Sequence, residues 1–465
     1  MKPEGSRPER SSGPAPGDTA AHPAEAGSLW EQFLARENLA EALERVEQNA
    51  GAPGIDGMST KELRPWLHDH WPEIRSALDA GTYRPQPVRR VMIPKPSGGQ
   101  RKLGVPAAVD RVICQALSQV LTPIFDPQFH PHSFGYRPGR SAHDAVERAR
   151  QFINDDAAWC ADLDLESFFD RVQHDALMAR VARRVQDKQV LRLIRRYLQA
   201  GVMDGGLVSP SEEGTPQGSP LSPLLSNVML DDLDWELEKR GHRFVRYADD
   251  VTIYVRSERA GQRVMASISE YVERRLKLKV NRQKSAVDHA KKRPLLGFRF
   301  FGRDRAVRVR IDPAAQNRAK DRLRQLTSRK RGVSMQQRID EINRYTVGWT
   351  NYYALADTPS VFEGLDRWLR RRLRQVRWKE WKRAKTRRRN LIARGIPERE
   401  ASEWGYSGKG YWRVSGSPIL TRALPNAYWT NQGLKTLTDT HRRFWDAKRT
   451  AGCGPARPVV WGAPG

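Results

Sequence analysis

Apolar positions recur along this chain with two different periods. Leu29, Phe33, Leu39, Leu43 and Val46 fall at helical spacing with Gly51 just beyond, which predicts one amphipathic helix with a glycine stop. GAPGIDGMS is then a glycine-punctuated loop, and VRRVMIPKPSGGQRKLGVP reads as two short strands around the Gly98–Gly99 turn. A helical period returns from Asp110 to Val120. AWCADLDLESFFD is a strand that ends on acids, and HDALMARVARRV and KQVLRLIRRYLQAG are helical. EGTPQGSPLSPLLSNVMLDDLDWELEKRG starts as a turn-rich loop and becomes a long helix. RFVRYADDVTIYVRS is a hairpin of strand, acidic turn and strand, followed by the helix ERAGQRVMASISEYVERRLKLKV and a strand pair or hairpin in RPLLGFRFFG. Strands interleaved with helices predict an α/β or α+β layer through residue 302, without an internal repeat.

Past that point the pattern becomes helical and basic. Phe362, Leu365, Leu369, Leu373 and Val376 form one apolar stripe, and Arg370, Arg371, Arg374 and Arg377 lie largely off it, so one face packs and the other is basic. Residues 303–389 hold 26 Lys or Arg against 9 Asp or Glu, a net of +17 out of +27 for the whole chain. Charge of one sign packed so densely repels itself unless a polyanion neutralises it, and nucleic acid is the first suspect. A membrane is the rival, but no run of about 18 apolar residues exists to span one.

The chain's 465 residues allow two to four domains and a sizeable core. Residues 1–27, rich in Pro, Ala, Gly and Ser and lacking an apolar signal core, read as a disordered tail. Cys114, Cys160 and Cys453 lie far apart, which argues against a disulfide scaffold or a zinc knuckle and fits a reducing cytoplasm.

The candidate chemistry lies in the acids. Asp249 and Asp250 stand side by side in RYADDVTIYV, where a simple Asp-Asp turn accounts for them unless another acid joins them. Asp164 ends a strand-like run 85 residues earlier. If the two strands pair, three carboxylates converge and raise one another's pKa. Magnesium, hard and doubly charged, resolves that conflict, and two such ions about 4 Å apart clamp both oxygens of an in-line phosphoryl displacement. Nucleotide polymerisation has this geometry.

The ordered blocks around these acids resemble the reverse transcriptase family, most closely the proteins encoded within bacterial group II introns. Tyr247–Asp250 (YADD) and Asp164–Asp170 (DLESFFD) look like the two catalytic blocks of the palm, and GTPQGSPLSPLLSN, Gly214–Asn227, like the loop and helix between them. IPKPSGGQRKLGVP resembles the fingers block, and SFGYRPGRSAHDAV, Ser133–Val146, the block after it. LKLKVNRQKSAV with LLGFRF resembles the two blocks that close the palm, and GAPGIDG the family's N-terminal extension. The resemblance runs from about Leu29 to Thr438; each motif alone is weak, and their shared order carries the weight.

The resemblance implies an α+β right-hand polymerase with fingers and an antiparallel palm sheet over 28–302. A helical thumb and maturase domain would follow over 303–390, then a C-terminal maturase or DNA-binding-like segment over 391–465. It implies Asp164 and Asp249 as main ligands of two Mg²⁺ ions, with Asp250 as the secondary one; Asp162 is left without a role. Lys95 and Arg101 resemble the pair that binds the incoming triphosphate, Phe169 the sugar gate, Gln217 a nucleotide contact, Lys284 the basic residue after the palm helix and Arg137 a fingers arginine. The basic helices, Arg370, Arg371, Arg374 and Arg377 among them, would grip RNA, although core packing is the expected role of Trp349, Trp368, Trp378 and Trp381. The chain ends without the family's HNH nuclease pattern, as in the short class typified by group IIC introns.

The implied protein is an RNA-directed DNA polymerase that also acts as intron maturase. Its partners are group II intron RNA, an RNA template with DNA primer, target DNA and dNTPs, and its place is the bacterial cytoplasm, with RNA and nucleoid. A non-catalytic RNA-binding splicing cofactor, or a reverse transcriptase of a retron, CRISPR or abortive-infection system, are the alternatives.

Overall fold

The computed structural model describes residues 27–94, 100–204, 207–209, 213–215, 218–302 and 306–451. The expected tail falls almost wholly outside them. In chain order the strands are β1 (Val88–Pro94), β2 (Gln100–Val105), β3 (Trp159–Leu163), β4 (Val202–Asp204), β5 (Leu207–Ser209), β6 (Arg243–Tyr247), β7 (Asp250–Val255), β8 (Ala286–His289), β9 (Phe298–Phe301) and β10 (Arg308–Ile311). Among the described residues they form sheets of order β2-β1-β4-β5, β6-β7-β3-β8 and β10-β9. The second is antiparallel throughout, as expected for the palm.

That central sheet separates two hydrophobic cores, and strand alternation explains how. Successive side chains of a strand point to opposite faces. Ala161 and Leu163 of β3 join Val251, Ile253 and Val255 of β7 in one core, which the helices Ala108–Phe125, Ser222–Lys239 and Glu258–Arg275 fill. Cys160, Tyr254 and Val245 point the other way, into a core built by the helix Ala142–Asn154 and by the helices Pro313–Leu326, Met335–Tyr353 and Pro359–Glu380. The basic helical region is therefore packed against this second face of the sheet.

The last segment folds onto the same core. Asp366, buried in the helix Pro359–Glu380, accepts from the backbone N–H groups of Leu437 and Thr438 at 2.9 and 3.0 Å. A carboxylate at those otherwise unpaired donors anchors the start of the helix Leu437–Ala451.

Several expectations change. The helix expected from Leu29 divides into Leu29–Phe33 and Arg36–Asn49, because Leu34 turns inward and Ala35 leaves helical geometry. A helix at Thr60–Asp79 was not anticipated; Pro65 and Pro72 interrupt its pattern, yet Ser59 and Glu62 form a capping box and Leu63, Leu67 and Leu78 reach the core. RPLLGFRFFG supplies only β9, and its partner is β10, a four-residue strand inside the region read as wholly helical. The boundary placed at 302 and 303 thus falls within a strand pair.

Candidate active site

Asp250 is the first residue of β7 and pairs with Tyr247, so the turn itself is Ala248 and Asp249. The acidic turn expected to hold both aspartates holds one of them. β3 pairs with β7 through Asp162↔Thr252 and Leu163↔Val251. Continuing that register by one residue sets Asp164 across from Asp250. Directly opposed residues in an antiparallel pair share a face, so Asp162, Asp164 and Asp250 look the same way at one end of the sheet.

Asp164 is held by its backbone. Its N–H donates to Ser285 Oγ at 3.0 Å and its carbonyl accepts from the Asn281 N–H at 2.8 Å. Lys284, on the same short turn, brings its Nζ to 4.0 Å from the Asp164 carboxylate. Asp162 is occupied otherwise: Arg293 Nε donates to it at 3.1 Å and Thr252 Oγ1 at 3.2 Å. Burial and the carboxylates of Asp249, Asp162 and Asp164 push the Asp250 carboxyl up to about 7, against Lys284.

Crowded, all-oxygen donors on rigid strand ends suit a hard divalent cation. Among the described residues no three His, Cys, Asp or Glu side chains are already drawn together as a cage. The donor set fits magnesium by its chemistry and by its mutual repulsion.

What fixes the turn is a buried ion pair that the sequence reading passed over. Arg246 and Asp234 are both fully buried; Arg246 Nε donates to Asp234 at 2.8 and 2.9 Å. Arg246 Nη1 donates to Asn227 Oδ1 at 2.8 Å and to the Ala248 carbonyl at 2.9 Å, inside the turn. Asn227 Nδ2 in turn donates to the Gly135 carbonyl at 2.9 Å. Gly135 lies directly on the turn, where a Cβ would stand 2.2 Å from the Ala248 nitrogen. Ala248 itself is left-handed, at φ 57°, which costs a residue with a Cβ about 1–2 kcal/mol. The signal was present: Asn227 and Asp234 are seven apart, two turns along one helix face, and Arg246 is a cation inside an apolar strand.

The residues expected to bind nucleotide are only partly described. Lys95 and Gln217 lie outside the described residues, and Arg101 is placed by its backbone in β2, opposite Ile93. Gly218, at φ 127°, sits where a Cβ would meet the Gly104 carbonyl at 2.4 Å, so the glycine lets the loop close on β2. Phe169 is 9% exposed and Phe168 2%, with ring centroids 5.2 Å apart; both belong to the core, with Phe169 nearer its edge.

The cations expected to reach nucleic acid are more enclosed than the sequence suggested. Arg137 is buried, donating to Asp126 Oδ1 at 2.7 Å and to the carbonyls of Asp126, His130 and Ser133. It ties a loop together and leaves no face for a ligand. Arg374 is buried and donates to the Leu424 carbonyl at 3.3 Å. Arg371 lies 4.0 Å above the Trp412 ring, and Arg377 pairs with Glu380 at 2.7 Å; Arg370 is half-buried. Helices after residue 410 cover the face expected to stand open. Trp378 and Trp381 are buried and Trp349 and Trp368 pack against the same core, as expected. The sequence did not reveal an open cleft of about 470 Å³ lined by Arg324, Arg329, Lys330, Arg372, Lys379 and Tyr411. No helix among the described residues is long and apolar enough to cross a membrane.

Residues 93–300 match the family model described as reverse transcriptase (RNA-dependent DNA polymerase). Residues 316–395 match the group II intron maturase-specific domain. Protein YkfC of Escherichia coli (strain K12) is 33% identical over 312 residues, which take in 58% of this chain and 81% of YkfC. The chain belongs to the reverse transcriptase family, and the second match sets it in the maturase-bearing branch of that family. The group II intron-encoded protein LtrA of Lactococcus lactis subsp. cremoris is 34% identical over 180 residues, 38% of this chain but only 28% of LtrA. A partial Cas6-RT-Cas1–Cas2 complex is a structural neighbour at 24% identity, covering 54% of this chain and 43% of that one, with a TM-score of 0.35, too slight a likeness to carry weight.

Proposed function

We propose that this chain is an RNA-directed DNA polymerase that also serves as an intron maturase. The observation that carries the reading is the meeting of Asp164 and Asp250 across β3 and β7, with Asp249 on a turn braced from behind by Arg246. In this reading Asp164, Asp249 and Asp250 hold two Mg²⁺ ions. Bound magnesium supplies the charge that makes the primer 3′-oxygen nucleophilic and stabilises the departing pyrophosphate. The chain's own part is positional: strand ends and the braced turn keep the carboxylates fixed, so no reorganisation is needed during the reaction. Lys95 and Arg101 bind the triphosphate, Gln217 touches the nucleotide and Lys284 sits beside Asp164. Phe169 excludes a 2′-hydroxyl by shape.

The same chain would bind group II intron RNA, favour its splicing-competent fold and prime cDNA synthesis at target DNA. The basic cleft lined by Arg324, Arg329, Lys330, Arg372 and Lys379 supports an RNA partner better than the covered face of Arg371, Arg374 and Arg377 does. The crowded carboxylates favour a working polymerase over a purely RNA-binding cofactor, since an inert protein has no use for their repulsion. Primer extension on an RNA template tests this. With dNTPs and Mg²⁺ the wild type makes cDNA and rejects ribonucleotides, and Phe169→Val admits them with at least about tenfold better efficiency. Wild-type protein that extends no primer removes the enzyme reading; Phe169→Val that still rejects ribonucleotides removes the gate.

A further inference from the structure

Tyr136 combines a strained backbone with an exposed ring. Its backbone is left-handed, at φ 60°. Its side chain is 52% exposed. A bulky non-glycine residue held in that conformation is an outlier that persists only where its surroundings over-determine it. The surroundings do so here. On one side Gly135 is pressed against the Ala248 nitrogen and its carbonyl accepts from Asn227. On the other, Arg137 is only 8% exposed, and its guanidinium binds Asp126 and the carbonyls of His130 and Ser133.

The strand before it is fixed as well. The Phe134 N–H donates to the Arg246 carbonyl at 2.9 Å, and Ser133 bridges to Arg246. The same arginine that braces the acidic turn thus braces the segment that presents Tyr136. One residue separates the tyrosine from direct backbone contact with the turn that carries Asp249. After it come Pro138, Gly139 and Arg140, all exposed.

If the loop needed only a tight left-handed corner, glycine would serve without strain. An exposed aromatic ring kept there, rigidly registered to the acids, suits a planar partner. We infer that Tyr136 is a nucleic-acid contact: its ring packs on a nucleotide of the template–primer hybrid where that hybrid enters the acidic end of the sheet, and Arg137 anchors the strained backbone that aims it. This assignment rests on the polymerase reading above. It also moves the nucleic-acid role in this block from Arg137 to the residue before it.

The test uses the full chain and a fluorescently labelled RNA template annealed to a DNA primer. Tyr136→Gly relieves the backbone, circular dichroism verifies that it is folded, and the Kd for the hybrid rises about tenfold, the scale of one lost base–aromatic stack. Tyr136→Phe keeps the ring and brings the Kd back to within about twofold. A Tyr136→Gly protein that binds the hybrid as tightly as wild type overturns the assignment. So does a Tyr136→Phe protein as weak as the glycine variant, because the ring would then not be the contact. Wild-type protein that binds no hybrid overturns the polymerase reading itself and this assignment with it.

Discussion

Arg246 shows how one residue can decide a site it never enters. Its guanidinium and the Asp234 carboxylate are fully buried, and the same group reaches the Ala248 carbonyl in the acidic turn. Removing one partner of a buried pair leaves the other charge unpaired, at a cost of about 3–5 kcal/mol, whereas replacing both with apolar residues costs far less. Arg246→Met should therefore lower unfolding free energy by about 3–5 kcal/mol in urea titrations, and Arg246→Met with Asp234→Leu should recover most of it. The double variant should still extend primers poorly, because nothing then holds the turn. A double variant as active as wild type would show that the brace is only structural. The three acids proposed as metal ligands were conspicuous in the sequence because they stand at a turn and at a strand end among apolar residues. The brace was not, because Arg246, Asn227 and Asp234 look unremarkable until β6 and the helix Ser222–Lys239 are packed together.

At the scale of elements, the helix Pro359–Glu380 was half read. Its apolar stripe follows from spacing, and Phe362, Leu365, Leu369, Leu373 and Val376 are all buried. Spacing does not say what covers the remaining faces. The Leu424 carbonyl and the Trp412 ring come from segments about 40 to 50 residues later, and they occupy Arg374 and Arg371. Arg374→Ala should thus destabilise the fold by about 1–3 kcal/mol, whereas Arg367→Ala, exposed on the same helix, should change stability by less than about 0.5 kcal/mol. Arg367→Ala should instead weaken RNA binding and flatten its dependence on salt, by about 0.7 in log–log slope for each lost contact to a single strand. Thermal melts and filter binding across a salt series measure both. An Arg374→Ala protein as stable as wild type but defective in RNA binding would reverse the assignment. β10 was hidden because Arg308, Val309, Arg310 and Ile311 alternate over only four residues within a basic run. The helix Thr60–Asp79 was hidden by its two prolines.

For the whole molecule, the central sheet is the organising surface. One face closes on the core of the N-terminal part and the other on the helices beyond residue 312, so the basic region is tied to the face of the strands that carries the acids. Asp164 and Asp250 point to that second face, at the end where apolar packing gives way to carboxylates. The formal net charge of +27 draws a polyanion toward the chain as a whole. The most direct measurement is single-turnover primer extension on an RNA template, comparing wild type with Asp249→Ala and Asp250→Ala, each verified as folded by circular dichroism. The wild type should make cDNA, Asp249→Ala should lose at least about a thousandfold in rate, and Asp250→Ala should lose less. Extension by Asp249→Ala at near the wild-type rate, or none by the wild type, would contradict the account.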